Sequence, residues 1–361
     1  MIISRTPFRI SFFGGGTDYP AWYRQNGGRV LACAINKYCY ITCRHLPPFF
    51  EHRFRVVYSK IEDRFEVGDI VHPAVREVLR YLGIEHGLEI HHDGDLPARS
   101  GIGSSSSFAV GLLNAVHALK GHMPTRQELA RQAIHIEQDI LREAVGSQDQ
   151  VMAAHGGFNL VEFLRNDEIV VTPVTLHADQ VREFNSHLML FFTGISRTAS
   201  EVAKTYVEDL AAKERLLREM AAMVDEALSI LRNGADLVEF GRLLHRGWVA
   251  KRSLDGRIST PHIDEIYESA RSAGALGGKL IGAGGGGFML IFARPADQPR
   301  VRDRLNRLIH VPFKFDFSGS RIIFYEPGDD YAEENRERSL RSIEPFREAG
   351  AKSMSDTARR K

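Results

Sequence analysis

Leu96-Pro97-Ala98-Arg99-Ser100-Gly101-Ile102-Gly103-Ser104-Ser105-Ser106-Ser107 separates two runs of different periodicity. Before it, Gly87 to His92 reads as a strand. After it, Phe108, Leu112, Leu113, Val116 and Leu119 recur at helical spacing, so Phe108 to Leu119 reads as a helix. Gly101 and Gly103 let the backbone turn tightly and bring its N–H groups close to a ligand. Serines at a helix start are expected to cap it and to leave unpaired N–H groups pointing outward. Such N–H groups make an anion site, most often for phosphate, and a serine hydroxyl beside phosphates is a natural Mg²⁺ ligand. The stretch reads either as a nucleotide-phosphate loop or as a flexible turn capping an ordinary helix. Taken alone, it does not decide between them.

Upstream of the loop the chain is β-rich. In Met1 to Phe13, Phe8, Ile10 and Phe12 alternate with Arg9, Ser11 and Phe13, the pattern of a half-buried strand, and Pro7 is expected to break it. Gly14-Gly15-Gly16-Thr17-Asp18-Tyr19-Pro20 forces a turn. Val30 to Ile35, Tyr38 to Arg44 and Phe54 to Ser59 read as separate strands. His72 to Leu82 reads as a helix with Pro73 in its first turn. Downstream, Thr125-Arg126-Gln127-Glu128 fits a capping box. It opens a helix carrying Leu129, Ala133, Ile136 and Ile140, which Gly146 is expected to end. Ser147-Gln148-Asp149-Gln150 starts a new turn, and Gly156-Gly157 precedes a strand, Phe158 to Phe163.

A change of domain is expected near residue 185. Residues 1–184 form the first unit, 185–327 the second, and 328–361 a polar extension. In the second unit His187 to Thr193 reads as a strand, and Ser200 to Arg232 and Asp236 to Leu254 as helices. Thr260-Pro261 caps a third helix. Met289 to Phe292 reads as a strand, Pro299 to Ile309 as a helix and Arg321 to Tyr325 as the closing strand. Strands and helices without a regular βαβ rhythm point to an α+β fold.

Gly282-Ala283-Gly284-Gly285-Gly286-Gly287 matches GxGxxG letter by letter. A dinucleotide fingerprint follows a strand and opens a helix; this one runs into a strand. No Walker A pattern occurs. Four consecutive glycines still imply close approach of the backbone to a ligand or to another backbone. Of the acids, Glu137 follows apolar Ile136 in the capping-box helix, and Asp149 lies in a short polar segment between glycines. One carboxylate could hold Mg²⁺ and the other could orient or deprotonate a hydroxyl. Solvated helix acids explain the same residues. Asp18 could hold two sugar hydroxyls or cap a turn, and Arg9 could bind an anion or pair with an acid on the sheet.

Composition excludes several classes. The net charge of +1 provides no bulk field for nucleic acid or an anionic membrane. No run approaches the roughly 18 apolar residues that span a bilayer, and Met1 to Phe13 lacks the apolar core of a signal peptide. Cys33, Cys39 and Cys43 form no CxxC pair, which fits a reduced, cytoplasmic setting. No HExxH or Cys/His zinc spacing occurs. His91-His92 places its rings on opposite faces of a strand.

Three separated stretches carry a family resemblance. Pro7 to Tyr19, Pro97 to Ser107 and Lys279 to Gly287 resemble, in order and spacing, the three motifs of the GHMP kinases, the superfamily of galactokinase, homoserine kinase, mevalonate kinase and phosphomevalonate kinase. The resemblance covers about Ile2 to Glu326. It implies a ribosomal protein S5 domain 2-like N-terminal domain and a ferredoxin-like C-terminal domain, with ATP and a sugar between them. By this resemblance Pro97, Arg99, Ser100, Gly101, Ile102, Gly103, Ser104, Ser105, Ser106 and Ser107 cradle ATP. Ser105 holds Mg²⁺, Glu137 is the carboxylate that meets that ion directly or through its other ligands, Asp149 stands beside the attacking hydroxyl, and Arg9 steadies that hydroxyl and the γ-phosphate. Asp18, with Gly15, Gly16 and Thr17, binds the substrate, and Gly284, Gly285 and Gly286 close the site. Asp149→Asn is then expected to cut turnover with little change in thermal stability.

A triple glycine stands where galactokinase has Glu-His before Thr-Asp. Pro312 to Asp316 with Gly319-Ser320, and Thr193 to Arg197, are similar to the branch that converts D-glycero-D-manno-heptose 7-phosphate to the 1,7-bisphosphate. Fucose kinases share much of this pattern. Arg197, Lys37 and Arg24 are candidate cations for a distal phosphate. The partners expected are a sugar phosphate and ATP, with no nucleic acid, no membrane and a possible homodimer. A sugar sensor that has lost catalysis is the alternative class; the joint presence of Ser105, Glu137 and Asp149 argues against it.

Overall fold

The structure, a computed structural model, describes residues 1–195, 213–234 and 236–340. Its first sheet grows from an antiparallel pair, β1 (Ile2–Phe13) and β2 (Gly28–His45). Pro7 does not break β1, contrary to expectation. A proline has no N–H to give to a ladder. The pairing passes from Pro7–Tyr38 to Phe8–Ile35, so Asn36 and Lys37 bulge out of β2 at that point. The two separate strands expected at 30–35 and 38–44 are therefore one bulged strand. Its first half pairs with β6 (Phe158–Phe163) and its second with β5 (Leu88–Gly94). Beyond β5 lie β3 (Phe54–Val57) and β4 (Ile61–Arg64), and beyond β6 lies β7 (Ile169–Pro173).

Four helices lie beside this sheet: α2 (Pro73–Tyr81), α3 (Ser104–Leu119), α4 (Arg126–Ile134) and α5 (Gln148–His155); α1 (Pro20–Asn26) follows β1. α3 is central, with every residue from Ser106 to His117 buried. A helix apolar around its whole circumference has to sit inside the protein. Both halves of the expected capping box of α4 form: Glu128 N donates to Thr125 Oγ1 at 3.2 Å, and Thr125 N donates to Glu128 Oε2 at 2.7 Å. The helix does not run on to Gly146. It widens into a π-helical turn, His135–Ile140, which carries Glu137. Such turns gather at functional sites because they re-aim one side chain.

The second sheet has the order β11-β8-β10-β9. The chain runs β8 (Leu188–Phe192), α7 (Glu214–Arg232), α8 (Leu237–Arg252), α9 (Pro261–Ser272), β9 (Gly277–Leu280), β10 (Phe288–Phe292), α10 (Gln298–Arg304) and β11 (Ile309–His310). Its fourth strand lies beside the first, and a β9–β10 hairpin completes the ferredoxin-like arrangement. The helix expected to reach residue 309 stops at Arg304, and the residues beyond supply an edge strand. β12 (Arg321–Tyr325) pairs with β1, so the last strand belongs to the first sheet rather than to the second unit, where the expected 185–327 boundary put it. Two backbone bonds lead it back, Asp316 N to Ala34 O and Gly157 N to Asp316 O.

A phenylalanine cluster joins the domains. Phe12 of β1, Phe184 of α6 (Ala178–Ser186), Phe240 of α8 and Phe292 of β10 stack edge to face or tilted, with centroids 4.7–6.0 Å apart. Each such pair contributes about 0.5–1.5 kcal/mol beyond area burial. Because one buried core runs through both domains, the two walls of the cleft are held in fixed relation. Among the described residues, no helix is long and apolar enough to cross a membrane. α11 (Ala332–Leu340) follows in the polar extension.

Candidate active site

The loop before α3 is built from left-handed residues. Arg99, Gly101 and Gly103 have φ of 58°, 82° and 75°. Arg99 pays a steric cost that the glycines do not. It is held there because its N–H donates to Ser104 Oγ at 3.1 Å, while Ser100 Oγ donates to the Pro97 carbonyl at 2.6 Å. The serines do not cap α3, contrary to expectation. Ser105 and Ser106 donate to Glu137, and Ser107 donates to the Pro7 carbonyl. The first backbone bond of the helix start is Ser107 N to Gly103 O at 2.8 Å. Among the described residues, the N–H groups of 101–106 therefore meet no protein acceptor. Unpaired amides at a helix start are arranged to receive an anion.

Glu137 sits behind these amides, only 1% exposed. Its Oε1 accepts from Ser105 Oγ at 3.0 Å; its Oε2 accepts from Ser106 Oγ at 2.7 Å and from the Gln150 amide. Burial pushes its carboxyl up to about 7 against the pull of these donors. Among the described residues no group of three or more His, Cys, Asp or Glu converges on one point. A Ser105 hydroxyl on the exposed side and one buried carboxylate are hard oxygen donors. They fit Mg²⁺, which binds through one or two carboxylates and takes its other ligands from water and phosphate oxygens.

Arg9 and Asp149 face the same loop. Arg9 Nε donates to Asp149 Oδ1 at 2.8 Å and Nη2 to Oδ2 at 2.7 Å, a two-pronged pair. Its Nη1 donates to the Gly101 carbonyl at 2.6 Å. A Cβ on Gly103 would lie 3.4 Å from Asp149 Oδ2, so the carboxylate borders the anion site. Asp18 lies beside this pair. It accepts from Gly16 N at 2.9 Å and Gln148 N at 3.3 Å. Burial raises its pKa, and the charge of Asp149 adds to the rise.

Gly146 is not a helix stop. A Cβ there would overlap Asp18 Oδ2, so the missing side chain makes room for that carboxylate. Gly146→Ala is accordingly expected to displace Asp18 and lower kcat/KM for the acceptor by about tenfold or more, the effect of losing a hydrogen bond to a charged group. Calorimetric affinity for an ATP analogue should stay within about twofold, because the amides of 101–106 are untouched; equal losses for both ligands would contradict this.

Next to Gly15, the Ser11 hydroxyl and the Gln148 Oε1 are buried and without a partner among the described residues. Both side chains come within 3.7 Å of the place a Gly15 Cβ would take. A buried polar atom without a protein partner calls for an explanation, a bound group or a water among them. Neither residue stood out in the sequence.

The glycine run packs backbone on backbone. A Cβ on Gly282 (φ 81°) would lie 2.6 Å from Gly101 Cα, and one on Gly287 (φ 106°) would overlap Ser100 O. Gly285 N donates to the Ile258 carbonyl at 2.9 Å and Gly287 N to the Ile195 carbonyl at 2.7 Å. The run thus seats the second domain directly on the phosphate loop. Lys279 and Lys251 stand behind it; the first lies in a quoted motif without an assigned role, and the second gave no signal. Arg24 is taken up by Asp167 at 2.7 Å, both largely exposed. Lys37 lies in the β2 bulge, and Arg197 lies outside the described residues.

An amide cradle beside an Arg–Asp pair, with a glycine loop from the second domain seated against it, is an arrangement able to hold a phosphate group. The sequence models described as GHMP kinases N terminal domain and GHMP kinases C terminal match residues 69–157 and 208–310. The chain belongs to the GHMP kinase family, whose sugar and mevalonate kinases are phosphotransferases that act on hydroxyl groups with ATP as donor. It is 28% identical over 305 residues to the D-glycero-alpha-D-manno-heptose 7-phosphate kinase of Campylobacter jejuni, covering 81% of this chain and 90% of that protein. It is 25% identical to the L-fucokinase/L-fucose-1-P guanylyltransferase of Bacteroides fragilis, over 86% of this chain but only 36% of that longer protein. The crystal structure of a D-glycero-D-manno-heptose 1-phosphate kinase from Bacteroides thetaiotaomicron superposes with a TM-score of 0.73 at 26% identity, over 90% of this chain and all of that one.

Proposed function

We propose that this chain is an ATP-dependent sugar kinase that phosphorylates the anomeric hydroxyl of D-glycero-D-manno-heptose 7-phosphate, giving the 1,7-bisphosphate and ADP in the cytoplasm. The observation that carries this is the apposition of the free amides of 101–106 to the Arg9–Asp149 pair. The amides hold the triphosphate. Ser105 and Glu137 would hold Mg²⁺, which when bound offsets charge on the β- and γ-phosphate oxygens. Asp149 orients the 1-hydroxyl and receives its proton, while Arg9, pivoting between Asp149 and the γ-phosphoryl, offsets the charge transferred. Asp18, with Gly15, Gly16 and Thr17, positions the sugar; Gly284, Gly285 and Gly286 close over it; and Arg197 is the candidate partner of the 7-phosphate. Positioning and electrostatics supply most of the rate in such transfers. Likeness to the Bacteroides fragilis protein favours L-fucose or another hexose as the second reading.

An ADP-release assay across free and phosphorylated heptoses, hexoses and deoxyhexoses separates these. The highest kcat/KM is expected with the heptose 7-phosphate; a preference for L-fucose supports the second reading, and no turnover with any sugar overturns both. Ser11→Ala is expected to raise the KM of the preferred sugar about 3- to 10-fold, the cost of one hydrogen bond, with the KM for ATP unchanged. An unchanged sugar KM would remove Ser11 from the sugar site.

A further inference from the structure

Two lysines lie in the seam between the domains, and the chemistry above uses neither. Lys279 of β9 donates to the Phe12 carbonyl at 2.9 Å. Lys251, in the last turn of α8, donates to the Leu280 carbonyl at 3.0 Å and to the Gly282 carbonyl. Carbonyls satisfy an ammonium's hydrogen bonds without cancelling its charge, and a buried charge without a counter-ion is unfavourable. The neighbouring acids are occupied: Asp149 takes the fork of Arg9, and Asp18 takes two backbone N–H groups. The seam therefore sets Arg9, Lys251 and Lys279 against Asp18 and Asp149. Charging both lysines beside Arg9 would leave an excess of positive charge, which burial opposes unless an anion arrives from outside.

The position of Lys251 says where that anion sits. Gly282, whose carbonyl it holds, rests on Gly101, and the Gly101 carbonyl in turn holds Arg9. We infer that Lys251 is a positioning residue for the transfer: it pins the glycine loop onto the phosphate loop and supplies the surplus positive charge that a bound polyphosphate takes up beside Arg9. The inference rests on the family's use of ATP and not on which sugar is the acceptor.

Burial, with Arg9 adding to it, pushes the Lys251 ammonium down to about 7. Lys279 is driven well down by burial, then by Lys251 and Arg9, with Asp18 opposing. Asp149 of α5 faces Arg9, and Arg252 on the same helix as Lys251 turns away to Asp264. An incoming anion favours the ammonium form, so nucleotide binding should draw a proton onto Lys251 above pH 7.

The test is calorimetric titration of the whole protein with AMPPNP between pH 6 and 9, in two buffers of different ionisation enthalpy. Wild type, Lys251→Arg and Lys251→Met are compared, so the nucleotide's own titration cancels. Wild type is expected to take up protons at pH 8 and to bind at least threefold more weakly at pH 9 than at pH 6.5. Lys251→Arg, which cannot deprotonate, should lose that difference. Lys251→Met should bind at least tenfold more weakly at pH 6.5 and lose at least tenfold in kcat, with the sugar KM changed less than twofold. An unaltered pH dependence in Lys251→Arg, or wild-type affinity in Lys251→Met, overturns the inference. If the Met variant does not fold, the Arg variant decides. The binding arm uses no sugar, so a wrong acceptor leaves it standing.

Discussion

Asp149→Asn lowers kcat by about 100- to 10,000-fold, the range over which a positioned proton acceptor contributes, and leaves the KM for ATP within about threefold. The substitution keeps the size of the side chain and its place on α5, but removes the charge beside the attacking hydroxyl. It also costs stability, which the sequence alone argued against. Arg9 is buried and donates twice to this carboxylate. Halving that fork leaves a buried guanidinium underpaired, which costs about 1–3 kcal/mol once the quarter exposure of Asp149 is allowed for. Steady-state kinetics beside a thermal melt check both parts. Turnover near wild type would remove Asp149 from the chemistry, and an unchanged melting temperature would remove the ion pair as a stabilising contact.

Glu137→Gln carries the opposite pair of signs. Glu137 is a buried acid whose pKa is raised from 4.5 to about 7. Between those values the folded protein holds a proton that the unfolded chain has released. The stability this group contributes is therefore complete below about pH 4.5 and is lost as pH rises through about 7. Glutamine stays neutral throughout and can still meet Ser105, Ser106 and Gln150, with Ser105 turning from donor to acceptor. In metal-free buffer the variant and wild type should melt together at pH 5. At pH 8 the variant should be more stable, by something on the order of 2–3 kcal/mol. Turnover should fall by about 100-fold or more, because the carboxylate assigned to Mg²⁺ is gone. A gain in stability with a loss of activity marks a residue kept for function. Lower stability at pH 8, or retained turnover, would contradict the assignment.

Features set by neighbours in the chain were legible without the fold. Thr125 and Glu128 form their capping box, Thr260-Pro261 opens α9, and the strand at 158–163 lies where it was read. Features set by distant partners were not. Pro7 reads as a break because its missing N–H is local, whereas the two-residue bulge that absorbs it lies on β2. Gly146 reads as a helix stop, yet the reason for it is Asp18, far back in the sequence. The phosphate-loop serines read as caps; Glu137 on its π turn draws the hydroxyls of Ser105 and Ser106, and the Pro7 carbonyl that of Ser107. Lys251 gave no signal because a lysine in the last turn of a helix normally complements the helix dipole in solvent; the loop that partly covers it comes later in the chain, at Leu280 and Gly282. The family resemblance led to the expectation that Arg9, Asp18, Ser105, Glu137 and Asp149 share one cleft. The contacts among them, and the polar atoms of Ser11 and Gln148 left open between them, belong to the tertiary structure.

The most direct measurement is the structure of the product. The protein is incubated with ATP, Mg²⁺ and D-glycero-D-manno-heptose 7-phosphate, and the sugar is followed by phosphorus and proton NMR. A second sugar phosphorus signal, coupled to the anomeric proton and growing in step with ADP, is the predicted result. ADP release without a new sugar ester, or a new phosphorus coupled to any other carbinol proton, would contradict anomeric phosphorylation by this site.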